Sequence, residues 1–261
     1  MKKIYIFLIT LVTVLILLVA AGFAFETEKT LSLPAVGLKA LRIDCGAGKL
    51  DVAGADGLDR IEVRAEIHAE RVSQSKMEDF LKDHVKLLLE KRGDRAVLVV
   101  NIEERWGFLF SGGAWIDLTV RVPKNLALEI DDGSGDMVVE DVAGDVAIDD
   151  GSGDIRVARL GGRLEIDDGS GDIDVRDVAG EIAIDDGSGE IKVLQAGGNV
   201  RVDDGSGDIT IDGVGGDVLI EDAGSGDVKI DNAKGRVIRH DIHEDEESDD
   251  EDDDGNAAPS L

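Results

Sequence analysis

The chain has little cysteine and few basic side chains, and both shortages narrow its possible structures and functions. Cys45 is the only cysteine among 261 residues, so no disulfide can form within the chain. We interpret Cys45 as a small residue in a turn, with an intermolecular disulfide as the alternative. The 28 lysines and arginines face 57 aspartates and glutamates, which gives a formal charge of −29. Nucleic-acid binding needs basic side chains to neutralise phosphates, so this balance argues against it and favours cations or basic partners.

The repeated part of the chain also lacks a catalytic constellation. The four histidines all lie outside the regular repeats: His68, His84, His240 and His243. The serine of each repeated turn therefore has no neighbouring base. A polysaccharide-degrading β-helix enzyme would need one unique pair of carboxylates in a groove, whereas acidic residues recur identically in every repeat. We therefore predict that the protein is not an enzyme, and such an enzyme is the least favoured alternative.

The chain is rich in one 18-residue unit, present six times, that carries an acidic turn. The first turn reads Asp131-Asp132-Gly133-Ser134-Gly135-Asp136. Near-copies begin at Asp149, Asp167, Asp185, Asp203 and, with one inserted residue, Glu221. A constant short period is typical of a stacked solenoid, because one unit cannot bury its apolar face alone.

Apolar residues occupy fixed positions on either side of each acidic turn, such as Ile155, Val157, Leu164 and Ile166. This spacing predicts two short strands per unit, joined by the acidic turn on one side and a Val-x-Gly turn on the other. Stacked units would form two parallel sheets across a thin aliphatic core, about 4.8 Å per coil. The predicted fold is all-β: a flattened parallel β-solenoid with about 18 residues per coil, one N-terminal helix and capping strands.

The N-terminus has the pattern of an export signal. Lys2 and Lys3 precede an uncharged apolar run from Ile4 to Phe25 that ends in small residues, which is typical of a secretory signal peptide. A run of this length can also span a bilayer, so an uncleaved membrane anchor is the alternative. We expect the rest of the chain to be exported to the periplasm or cell surface, with inner-membrane anchoring through residues 4–25 in the alternative case.

The sequence divides into four segments. They are a signal peptide or anchor (1–25), a degenerate β-repeat and capping region (26–122), the regular solenoid of six repeats (123–240) and a disordered acidic tail (241–261).

Three features stand out in the capping region. The stretch from Ile43 to Val52 matches the later unit from Ile148 to Val157 in the spacing of its apolar residues and glycines. A capping-box pattern and helical spacing predict a helix over about 76–92, with Gly93 as its C-cap. The aromatic loop from Trp106 to Gly113 is interpreted as a cap over the open end of the solenoid. An exposed apolar contact for a membrane or partner is the alternative.

Charges alternate on the strands of the regular repeats but not at the acidic turns. Arg156, Asp174 and Lys192 share one column with alternating signs, which is favourable between neighbouring strands. The turn columns contain no basic residue, although two charges 4.8 Å apart repel by roughly 0.9 kcal/mol even in water. Either backbone N–H groups of the turns satisfy these carboxylates, or the carboxylates bind Ca²⁺ or a similar hard cation. The candidate cation ligands are Asp132, Asp150, Asp168, Asp186, Asp204, Asp136, Asp154 and Asp172.

The segment from Pro123 to Asp136, followed by repeated Gly-Ser-Gly-Asp-apolar-x-Val units, resembles the bacterial putative-adhesin β-strand-repeat family over roughly residues 38–240. The resemblance implies an exported or membrane-tethered β-solenoid and supplies no catalytic residues. We therefore predict a non-catalytic, adhesin-like or envelope-associated binding module that presents its acidic turns, with a Ca²⁺-binding or cation-stabilised module as the alternative. Its partner would be a protein or glycan of the envelope or of a surface, and it would contact a membrane only through residues 4–25.

Overall fold

The computed structural model describes residues 13–15, 24–70, 74–102 and 113–240. Within these ranges the chain forms β-strands and one helix, as predicted. The elements of the capping region are β1 (Thr13–Leu15), β2 (Ala24–Pro34), β3 (Ala40–Ala47), β4 (Leu50–Ala55), β5 (Arg60–Glu70), α1 (Gln74–Asp83), β6 (Val85–Arg92), β7 (Arg95–Ile102) and β8 (Ala114–Pro123).

Short strands form the regular array. They are β9 (Ala127–Ser134), β10 (Met137–Glu140), β11 (Val146–Asp150), β12 (Ile155–Leu160), β13 (Leu164–Asp168), β14 (Ile173–Val178), β15 (Ile182–Asp186), β16 (Ile191–Ala196), β17 (Val200–Asp204), β18 (Ile209–Val214), β19 (Val218–Asp222), β20 (Val228–Asp231) and β21 (Val237–Arg239).

The strands form two sheets that run through the array side by side. The first has the order β1-β2-β5-β8-β4-β10-β12-β14-β16-β18-β20, and the second has the order β21-β19-β17-β15-β13-β11-β9-β3-β7-β6. Successive strands of the array alternate between the sheets. Each pairs in parallel with the strand 18 residues further on, as Ile155 does with Ile173, or 19 residues further on after the inserted residue, as Ile209 does with Val228. The flattened parallel β-solenoid is therefore confirmed.

The core lies between the two sheets and consists of aliphatic side chains. Alternate strand residues such as Val157, Ile166, Val175 and Ile184 are at most 1% exposed. β-Branched residues suit this arrangement because they pack well against identical neighbours on a pleated surface. Alternation also fixes which turn residues point inward, and this positions the candidate site.

The worn repeat near the N-terminus is the first coil of the stack. Strand β3 pairs in parallel with β9, with Ile43 opposite Ile130, and β4 pairs in parallel with β10, with Leu50 opposite Met137. The match between Ile43–Val52 and the later repeats is thus confirmed. Strand β2, which precedes the first coil, and the chain between the two coils extend both sheets with antiparallel pairs, β2 with β5 and β6 with β7.

The helix is shorter than predicted. It spans Gln74–Asp83, and residues 85–92 form β6 instead of the second half of a helix over 76–92. Strand β6 pairs with β7 in an antiparallel hairpin, and Gly93 takes a positive φ of 69° in the tight turn between them, so it is not a helix C-cap. The apolar residues at 85, 87 and 89 fit a strand as well as a helix, and the pairing with β7 decides between the two.

Several sequence predictions concern residues outside those that the structure describes. These are the signal or anchor segment, except for its short strand Thr13–Leu15 and its last two residues, most of the aromatic loop, and the acidic tail. Strand β1 pairs with Glu28–Thr30 of β2. Among the described residues, no helix has the length and apolar character needed to cross a membrane.

Candidate functional site

The two adjacent aspartates of each acidic turn point to opposite sides of the second sheet. Side chains alternate along a strand, so in β11 the buried Ile148 is followed by an exposed Asp149 and a buried Asp150. We call the outward-pointing set the outer column: Asp131, Asp149, Asp167 and Asp185, which are exposed, and Asp203, which is half-buried. We call the buried set the inner column: Asp132, Asp150, Asp168, Asp186 and Asp204. Both columns are stacked in register by the parallel pairing of the strands.

The inner column is a row of buried carboxyl groups. Their exposed fractions fall from 5% at Asp132 to 0% at Asp204. From Asp150 onward, Oδ1 accepts a hydrogen bond from the backbone N–H of the serine two residues later, at 3.3 Å for Ser152 and 3.0 Å for Ser206. This turn geometry is common for aspartate followed by glycine. Each Oδ2 of the column is buried and has no hydrogen-bond partner.

Burial raises the pKa of the inner carboxyl groups. The pKa of Asp150 rises to about 6, because of burial and then the charge of Asp132. The pKa of Asp168 rises to about 7, through burial and then Asp150, and that of Asp204 rises to about 6, mainly through burial. A carboxyl group that keeps its proton carries no charge and has an O–H donor. The inner column therefore holds protons well above the pH at which ordinary aspartates lose them.

The inner column ends at an identifiable residue on each side. Cys45 stands opposite Asp132 in the first coil, and burial, followed by the charge of Asp132, raises the pKa of its thiol far above the usual range. Cys45 was predicted to lie in a turn, but it is a residue of β3, at the strand position that the inner aspartates occupy in later coils. At the other end, the inserted residue of the sixth repeat shifts the register, so that Asp203 pairs with Asp222. Asp222 is half-buried and accepts the backbone N–H of Gly224 at 2.9 Å.

A third row of acidic residues, which begins at Asp136, lies beyond the Gly-Ser-Gly turn. The Oδ1 atom of Asp154 accepts the backbone N–H of Asp172 at 3.3 Å, and that of Asp172 accepts the N–H of Glu190 at 3.0 Å. Asp154 also forms an ion pair with Arg156 at 3.1 Å. These carboxylates tie one coil to the next.

The structure separates the candidate cation ligands into these two rows. The inner members lie inside the solenoid, and Asp136, Asp154 and Asp172 lie outside it. Among the described residues, the ligand-bearing groups that could surround one ion are those of Glu26, Glu66 and His68, and no three of the candidate aspartates form such a group. Backbone N–H groups reach one oxygen, Oδ1, of most of these carboxylates, whereas the inner Oδ2 atoms have no hydrogen-bond partner.

The outer column was not among the candidate residues, yet it is the exposed acidic feature of the turns. Asp131 pairs with Arg42 at 2.8 Å. Asp149, Asp167 and Asp185 form no ion pair with any residue that the structure describes. A shallow depression of about 300 Å³ runs along Asp131, Asp149 and Asp167, beside Glu129 and Glu165. The alternation of Ile148, Asp149 and Asp150 was the sequence signal that could have identified this column.

By contrast, positive and negative charges balance one another on the outward face of the first sheet. Asp174 lies between Arg156 and Lys192 in register, as the alternating signs predicted. Arg176 forms an ion pair with Asp174 at 2.5 Å, and the side chain of Arg176 lowers the pKa of this carboxyl group. The uncompensated negative charge of the array is therefore concentrated on the second sheet.

Comparison with known proteins identifies a family. Residues 59–243 match the family model described as Toastrack DUF4097. No protein of curated function matches the sequence.

Similar solved structures include a putative adhesin from Bacteroides fragilis, at 15% identity and a TM-score of 0.44, covering 82% of this chain and 97% of that one. A putative cell adhesion protein from Clostridium sporogenes has 12% identity and a TM-score of 0.36, covering 82% and 98%. A putative lipid binding protein from Parabacteroides distasonis has 14% identity and a TM-score of 0.34, covering 82% and 97%. Likeness at this level carries no argument about function.

Proposed function

Because the chain belongs to the Toastrack DUF4097 family, with the whole regular array inside the matched segment, we propose that it is an exported, non-catalytic binding module. In this proposal the outer column on the second sheet binds a cationic partner, such as a basic segment of an envelope or surface protein. The supporting observation is that Asp149, Asp167 and Asp185 stand in register, exposed and without ion pairs among the described residues.

The geometry favours several weak contacts over one strong contact. The five carboxylates of the outer column span about 19 Å in steps of about 4.8 Å, on strands fixed by continuous parallel pairing. Each exposed ion pair contributes less than about 1 kcal/mol, but contacts made together by one linked partner reinforce one another. A partner with several linked cationic groups therefore gains far more than a single cation.

The binding proposal predicts a difference between two variants of equal charge. The variant D149N/D167N/D185N should bind a decalysine peptide at least about tenfold more weakly than the parent chain at low salt, since about 1.4 kcal/mol corresponds to a factor of ten. Isothermal titration calorimetry on the whole chain measures the affinity.

The matched control removes three exposed acidic charges elsewhere. D51N/D177N/E190Q has the same net charge as the first variant, but its substitutions lie away from the outer column. It should change the affinity less than about twofold. Equal losses in the two variants would show that the peptide responds only to net charge, and this would overturn the proposal.

Ca²⁺ remains the second candidate ligand, favoured by the row of inner Oδ2 atoms without hydrogen-bond partners. Structural Ca²⁺ binding would raise the Tm of the protein in millimolar Ca²⁺ relative to a chelator, because a ligand of the folded state stabilises it. An unchanged Tm would contradict this second candidate and leave the binding of a basic partner untouched.

A further inference from the structure

A second cluster of chemically active side chains lies on the capping region, away from both aspartate columns. Strands β2, β5 and β8 are neighbours in the first sheet, and their pairing places Glu26 opposite His68 and His68 opposite Trp115. In the adjacent row, Glu66 lies opposite Asp117. One ligand atom from each of Glu26, Glu66 and His68 lies within 4.8 Å of the other two.

His68 is held in place with a ring nitrogen that lacks a hydrogen bond. Its imidazole stacks on Trp115, with centroids 4.9 Å apart and planes at 11°. The Nε2 atom is buried and forms no hydrogen bond, although Asp117 Oδ2 is only 3.1 Å away. The side chain of His68 is 20% exposed, so the site is open to solvent on one side. A fixed imidazole among carboxylates without a completed hydrogen bond is suited to accept a metal ion.

The charge around the cluster also favours a cation. This face carries four acidic residues, and the basic residue paired with two of them is Arg64. The acidic residues are Glu26, Glu28, Glu66 and Asp117. Arg64 bonds to Glu28 at 3.0 Å and to Glu66 Oε1 at 2.8 Å. Glu66 is therefore shared with Arg64, whereas Glu26 forms no ion pair with any residue that the structure describes.

We propose that Glu26, Glu66 and His68 bind one divalent transition-metal ion of the zinc class, with Asp117 beside the imidazole. Imidazole with carboxylates suits zinc and its neighbours, whereas Ca²⁺ prefers oxygen ligands alone. Three protein ligands leave a position for water or for a partner's side chain. The ion would fasten β2 to β5, and its binding is independent of the outer column.

The experiment titrates the untagged whole chain with Zn²⁺ and, separately, with Ca²⁺ by calorimetry. We expect one Zn²⁺ per chain and a higher Tm with Zn²⁺ than with a chelator. Any effect of Ca²⁺ should be the same in the parent chain and in variants that lack the site. His68→Gln should weaken Zn²⁺ binding at least about tenfold, and Glu26→Gln should weaken it several-fold, because each removes one ligand. Glu26 is exposed, so Glu26→Gln provides the test even if His68→Gln does not fold.

The control is the double variant H240Q/H243Q, which removes the two histidines beside the acidic tail. Zn²⁺ binding should be unchanged in this variant. The proposal is overturned if no saturable Zn²⁺ binding occurs or if H240Q/H243Q abolishes the binding. It is also overturned if both Glu26→Gln and a folded His68→Gln leave the affinity unchanged.

Discussion

Gly135→Ala should destabilise the protein by about 3 kcal/mol or more, whereas Gly133→Ala, two residues earlier in the same turn, should cost less than about 1 kcal/mol. Gly135 has a φ of 130°, which disfavours any residue with a Cβ. A Cβ at this position would also overlap the carbonyl oxygen of Gly48 in the neighbouring coil. A Cβ on Gly133 would come no closer than 3.5 Å to Gly46, which is ordinary contact.

Urea unfolding of the two variants measures the difference. The close approach recurs along the stack, at Gly153, Gly171, Gly189 and Gly207, so the effect follows from the coil geometry and not from one local contact. If Gly135→Ala were as stable as Gly133→Ala, the turns could not be packed as closely as described.

The second large effect is a loss of stability as the pH rises. Asp168 has a folded-state pKa of about 7, against an ordinary value of 3.8. The folded state therefore holds this proton more tightly than the unfolded state does, and its contribution is present at low pH and is lost as the pH rises from about 4 to about 7. Asp150 and Asp204, with pKa values of about 6, act in the same direction. We expect a Tm lower at pH 8 than at pH 5 by several degrees.

Asp168→Asn isolates the contribution of the inner column. Its amide stays uncharged, and its oxygen can still accept the N–H of Ser170, which Asp168 Oδ1 accepts at 3.2 Å. The variant should be more stable than the parent chain at pH 8 by about 1–2 kcal/mol, because its amide places no charge in the buried column. The coupled titration of the neighbouring carboxyl groups keeps this gain small. The difference should shrink toward pH 5.

The control for this prediction is Asp167→Asn, one residue away in the outer column. It removes the same charge from an exposed position, so its effect should be within about 0.5 kcal/mol at both pH values. Thermal unfolding at the two pH values measures all three proteins. An Asp168→Asn variant that behaves like Asp167→Asn would show that the inner carboxyl groups are ionised at little cost.

The period of the repeats was enough to predict the solenoid, because identical apolar residues every 18 positions can be buried only by stacking. It even predicted the first coil, since Ile43 and Leu50 keep the spacing of the later units. The periodicity of apolar residues was not enough to predict β6. Residues 85–92 also fit a helix, and only their pairing with β7 shows that they form a strand. Local patterns do not determine long-range pairing.

The site was predictable in part. The stacking of Asp132 with Asp150 followed from the repeat, but their burial required the alternation from Ile148 to be carried one step into the turn. Glu26 and His68, in contrast, are far apart in the sequence and meet only because β2 pairs with β5. No spacing within either strand indicates the other. The outer and inner columns therefore follow from the sequence, and the metal cluster does not.

Neighbouring aspartates of one turn lie in opposite environments: one is exposed, and the other is buried with a raised pKa. Carboxyl ¹³C NMR over a pH titration, assigned with Asp150→Asn, Asp168→Asn and Asp204→Asn, tests this difference most directly. We expect these three carboxyl groups to titrate with midpoints of about 6, 7 and 6. Titration of all three complete below about pH 5, as for ordinary exposed aspartates, would contradict the account.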